Sequence, residues 1–144
     1  MITVTVYSDE NRKSNGFEIS GHALSDVYGR DLVCAGASAV AFGTVNAIAH
    51  ITGIQPEIEQ GKEGGYLKVV MPNDLDTETD NKLQVILNTF VTQVYTMTAS
   101  YADYIELKYK MIRSATKDSS SCSGNTQHWH SINIVQINVF NKSI

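Results

Sequence analysis

Cysteine is scarce in this sequence. Cys34 and Cys122 are the two present, too few for a disulfide framework and without the CxxC spacing of a metal site. Positive charge is also short, with 11 Lys and Arg against 15 Asp and Glu and a formal net charge of −4. Arg113, Lys117 and Lys142 outnumber Asp118 in the last 32 residues, so residues 1 to 112 carry about −6. A nucleic-acid binder shows a basic stripe, and this body shows the opposite. A basic protein or peptide is the better electrostatic partner. The opening MITVTVYSDE lacks the basic and apolar regions of a secretory signal. No run approaches 18 consecutive apolar residues. The expectation is a cytoplasmic protein that contacts neither nucleic acid nor membrane.

What is there is enough for one domain. At 144 residues, 42% hydrophobic and 18% charged, the chain can bury a core without staples. Ile2, Val4 and Val6 alternate with Thr3 and Thr5, the period of a strand with one buried face. A turn at 8–11 and a second strand over 16–20 make a hairpin. From Leu32 to Thr52 the residues Val33, Ala37, Val40, Ala41, Thr44, Val45, Ile48 and Ile51 recur at spacings of three and four, predicting a helix that stops at Gly53. Strands over 55–60 and 66–71, joined by a glycine-rich turn, form a second hairpin. A second helix runs from about Asp76 to Tyr101, with Asp76, Glu78 and Asp80 at its positive end. A last strand covers 104–109. The order ββαββαβ predicts an α+β fold, a two-layer sandwich with two helices packed on one face of a sheet.

This pattern ends near residue 110. Residues 111–144 hold a Ser-rich segment and the uncharged run INIVQINVF, and they read as a flexible or non-native extension. Cys122, His128 and His130 within it have the spacing Cys-x5-His-x-His, too weak for a metal site. No metal or cofactor is expected.

Chemistry concentrates in GHALSDVYGRDLVCAGASAV, residues 21–40. His22 stands at a strand exit. Asp31 is the predicted N-cap of the first helix, accepting from the backbone N–H of Val33 or Cys34, which places Cys34 in the first turn. The helix dipole there favours a thiolate by about 0.3–1 kcal/mol, less than a nucleophile with an ordinary pKa near 8.5 needs. His22 can supply the remainder if the intervening loop folds back. The first-turn amides offer a binding place for an oxyanion. Asp26, Asp31 and Ser38 are in range of the pair, Ser38 lying one helical turn below Cys34. From the residues alone, Cys34 reads more readily as a core filler than as a nucleophile.

The pieces GHA and YGRDLVCAGASAV, together with the glycines before the second hairpin, resemble the ribosomal-processing cysteine protease family, Prp, over about residues 1–110. The resemblance implies a cysteine endopeptidase with Cys34 as nucleophile and His22 as general base. Asp31 and Ser38 fall on family positions near the active centre. It implies as substrate a precursor of large-subunit ribosomal protein twenty-seven, whose N-terminal extension is removed as the ribosome matures. It also implies a homodimer, a mobile loop over 21–31, and no cofactor. Two rivals stand beside it: a non-enzymatic ribosome-assembly factor with a buried Cys34, and a thiol-reactive sensor.

Overall fold

The computed structural model describes residues 1–23 and 31–112. Five strands and two helices follow the expected order: β1 Ile2–Ser8, β2 Ser14–Ser20, α1 Leu32–Thr52, β3 Glu57–Gln60, β4 Tyr66–Val70, α2 Thr77–Ser100 and β5 Ile105–Met111. The sheet runs β3-β4-β2-β1-β5. The pairings of β1 with β2, β2 with β4 and β3 with β4 are antiparallel, whereas β5 lies parallel to β1, Ile2 opposite Ile105.

Alternation in β1 decides which face of the sheet is covered. Ile2, Val4 and Val6 are buried together with Phe17, Leu67, Val69 and Ile105. Residues of both helices join the same core, so both pack on that face. Phe17 of β2 and Phe90 of α2 stack at its centre, ring centroids 4.2 Å apart. The helix α1 contributes nine buried residues. It contains no Asp, Glu, Lys or Arg, and an 18-residue stretch of it has a mean hydropathy of 1.7, long and apolar enough to cross a membrane by length and composition alone. Gly, Ser and Thr interrupt the strictly apolar run, which is why the sequence shows no such stretch to the eye. Its end is built as expected: Gly53 takes φ +73 and donates its N–H to the Ala49 carbonyl.

Boundaries differ where local chemistry differs. β3 begins at Glu57 rather than 55, because Pro56 cannot donate to a ladder. Ile51 and Tyr101 continue the helical stripes but are 54% and 42% exposed. β5 extends through Met111, and the Ile112 N–H donates to the Ser8 carbonyl at 2.8 Å. The folded unit therefore continues to Ile112, and residues 111 and 112 belong to it rather than to an extension. The remainder of the expected extension, with Cys122, His128 and His130, lies outside the described residues.

The other face of the sheet is polar. Tyr7 donates its hydroxyl to Glu18 Oε2 at 2.8 Å. Burial, then the hydrogen bond to the carboxylate, push the Tyr7 phenol up from its usual value near 10 to about 12. A raised pKa means that folding favours the neutral phenol, so its contribution is intact below pH 10 and is lost as pH rises through about 12. Ultraviolet titration is expected to show a late tyrosinate phase that Tyr7→Phe removes. An unchanged titration in that variant would refute the assignment.

Candidate active site

Strand β2 ends in a turn made by Gly21, whose φ is +89. The Gly21 N–H donates to the Gly65 carbonyl at 2.9 Å, extending the β2–β4 ladder by one step beyond the Ser20–Tyr66 pair. His22 follows, exposed, its carbonyl accepting from the Met1 ammonium at 2.7 Å. Ala23 is buried, and its N–H donates to Cys34 Sγ at 3.3 Å. The strand exit thus lies directly against the start of α1. A donor aimed at sulfur favours the thiolate over the thiol.

Asp31 caps α1 as the sequence predicts. One carboxylate oxygen, Oδ1, accepts from the N–H groups of both Val33 and Cys34 at 3.0 Å, and the Asp31 carbonyl accepts from Ala35. This corrects the expected oxyanion site. The first-turn amides at Val33 and Cys34 are engaged by the cap, because a carboxylate is the anion best placed to use them. Ser38 sits one turn below Cys34 and donates its hydroxyl to the Cys34 carbonyl at 2.6 Å. That proton is committed to the helix backbone, so Ser38 fixes the turn that carries Cys34. Asp26 and the remainder of the 24–30 loop lie outside the described residues.

Cys34 is buried, 7% exposed, with space beside it. It lines a small, largely apolar pocket with Ile2, Ile19, Ala37, Phe42, Tyr66 and Leu67, which Gly21 and Gly65 also line. Sequence reading did not identify these pocket residues. They come from β1, β2, α1 and β4, and only the strand order brings them together. Among the described residues no group of three or more His, Cys, Asp or Glu could hold a metal ion.

The cap has a measurable consequence. Asp31→Ala leaves two first-turn donors without their acceptor and is expected to cost about 1 kcal/mol of stability. Asp31→Asn keeps an acceptor oxygen and is expected to lose only a fraction of that. Equal losses in the two variants, measured by denaturant unfolding, would show that the carboxylate charge rather than the cap sets the stability.

A two-layer sandwich that holds a cysteine in the first turn of a core helix, with a histidine at the adjoining strand exit and an apolar pocket beside the sulfur, has the parts of a cysteine protease. Comparison with known proteins makes the class specific. Residues 1–106 match the model of the family described as cysteine protease Prp. The ribosomal processing cysteine protease Prp of Bacillus subtilis strain 168 is 34% identical over 112 residues, 78% of this chain and all of that protein. Two crystal structures of the essential ribosomal processing protease Prp from S. aureus are 38% identical, each covering 76% of this chain and 100% of its own. The one with a covalently linked product peptide aligns with a TM-score of 0.70, and the one with a substrate peptide with 0.64. The chain belongs to the Prp family of cysteine proteases.

Proposed function

We propose that this protease removes the N-terminal extension from a precursor of large-subunit ribosomal protein twenty-seven, with Cys34 as nucleophile and His22 as general base. The observation that carries the residue assignment is the hydrogen bond from Ala23 N–H to Cys34 Sγ. It fixes the residue that follows His22 against the sulfur. The names of the relatives support ribosomal processing, and the peptide complexes of the S. aureus protein support a peptide substrate. A basic ribosomal precursor also suits the acidic body of this chain.

The chemistry follows from the arrangement. His22 takes the thiol proton, and the thiolate attacks the scissile carbonyl to form a C–S bond and a tetrahedral oxyanion. Ala23 N–H, already beside the sulfur, is a donor placed to meet the developing charge. Collapse breaks the C–N bond as the imidazolium returns the proton to the leaving amine. Water, deprotonated by His22, then hydrolyses the thioester and frees the enzyme. Asp31 and Ser38 support this by holding the first turn of α1 rather than by exchanging protons. The apolar pocket takes a hydrophobic side chain of the substrate next to the cut. The protease acts in the cytoplasm as a homodimer, where ribosomal precursors are made, and it contacts neither nucleic acid nor membrane.

The test is a peptide spanning the extension and the first residues of the mature ribosomal protein, incubated with the enzyme, with products identified by mass spectrometry. A single cut at the junction is expected. An intact peptide, together with cleavage of unrelated peptides, would overturn the substrate assignment.

A further inference from the structure

The opposite wall of the site is formed by a residue with no side chain. Gly65 closes the β3–β4 turn at φ +71, and a Cβ placed on it would lie 2.4 Å from His22 Nε2, 2.8 Å from Cε1 and 3.2 Å from Cδ2. The imidazole therefore occupies the space that any other residue at 65 would fill. The same residue accepts the Gly21 N–H through its carbonyl and borders the pocket that Cys34 lines. The turn residue just before β4 thus holds the residue before His22 and lies against the ring of His22 itself. The turn is closed by its own hydrogen bonds, Gly61 N–H to the Tyr66 carbonyl at 3.0 Å and Gly64 N–H to the Gly61 carbonyl at 3.2 Å.

We infer that Gly65 is a positioning residue for catalysis, its missing side chain forming the seat that holds the His22 ring in place to ionise Cys34. This rests on the assignment of His22 as the base for Cys34. A methyl group at 65 has nowhere to go but into the ring, because nonbonded atoms do not approach to 2.4 Å. The ring must swing away, and the sulfur loses its proton acceptor. Any residue with a Cβ has this effect, so the requirement at 65 is for glycine and not for small size.

Two effects of Gly65→Ala have to be separated, since φ +71 also strains an alanine whatever the space around it. Gly53 provides the control. It has φ +73 at the end of α1 with nothing within 4 Å of its would-be Cβ, so Gly53→Ala carries the backbone strain without the collision. The readout is the pH dependence of Cys34 alkylation by iodoacetamide, with kcat/KM for a cleavable peptide beside it. Gly65→Ala is expected to move the alkylation midpoint up toward the ordinary thiol value near 8.5 and to lower kcat/KM at least tenfold. Gly53→Ala is expected to lower the unfolding temperature and leave both readouts unchanged. In a His22→Ala background, adding Gly65→Ala is expected to produce no further shift, because the ring through which it acts is gone.

If Gly65→Ala does not fold, Gly65→Asn replaces it, since asparagine tolerates positive φ and still carries a Cβ. A Gly65 variant that is folded and titrates like the wild type, while His22→Ala shifts the profile, would overturn the role of Gly65 alone. A further shift from Gly65→Ala on top of His22→Ala would overturn it too. A wild-type profile in His22→Ala itself would instead overturn the assignment of His22 on which the inference stands.

Discussion

Cys34→Ala is expected to abolish peptide cleavage while leaving the fold intact. The substitution removes one buried sulfur from a position already 7% exposed and bordered by a pocket, so the core has little to lose. Catalysis has everything to lose, because Cys34 carries the thiol of this pocket and the Ser38 hydroxyl that also lines it is committed to the Cys34 carbonyl. Loss of a nucleophile in a hydrolase that works through one costs on the order of 10⁴ to 10⁶ in kcat. His22→Ala is expected to cost nearly as much, and the double variant no more than the worse single, because base and nucleophile act as a unit. Measurement of kcat/KM for the three variants checks this. Independent, multiplying losses would mean that the two residues do not cooperate in one step. Cleavage that survives in Cys34→Ala would remove the sulfur from the mechanism.

The second large effect is on stability. Phe90→Ala is expected to destabilise the fold by about 3–5 kcal/mol, a large fraction of the roughly 5–15 kcal/mol that holds a domain together. Phe90 is 1% exposed and stacks on Phe17, itself fully buried, at 4.2 Å. That contact joins α2 to the strand whose far end carries Gly21 and His22. Removing the ring leaves a cavity between helix and sheet and gives up an aromatic pair as well as apolar burial. Urea unfolding of the variant against the wild type measures the difference. A loss below about 1 kcal/mol would mean that the core collapses around the missing ring, which the close packing of protein interiors argues against.

The elements of this fold were legible because each carries an undisturbed period. Ile2, Val4 and Val6 alternate, α1 begins one residue after a capping aspartate and ends one before a glycine, and Asp76 does for α2 what Asp31 does for α1. Asp31, Cys34 and Ser38 could be placed relative to one another because helical spacing fixes neighbours at three and four residues. Their bonds were less legible. The sequence offers the first-turn amides to a substrate oxyanion, but in the folded chain Asp31 reaches them first through a single oxygen.

Contacts set by strand order were hidden altogether. Gly65 follows His22 by 43 positions, and nothing in their spacing brings them together. The register of β2 on β4, Ser20 opposite Tyr66, puts the next pair at Gly21 and Gly65 and hence the ring over the glycine. The pocket is hidden for the same reason, since Ile2, Phe42 and Leu67 meet only after the sheet has formed. Gly64 and Gly65 in sequence signal a turn, and a turn is all that local chemistry requires of them.

The central claim is that the sulfur of Cys34 bonds to the substrate. Acid-quenched mixtures of wild-type enzyme and extension peptide, analysed by intact mass and then by peptide mapping, test it most directly. The account predicts an adduct with the mass of the acyl half of the peptide, located on Cys34, released by hydroxylamine and absent from Cys34→Ala. Turnover with no adduct on Cys34 at any time of quenching, and equal turnover in Cys34→Ala, would contradict it.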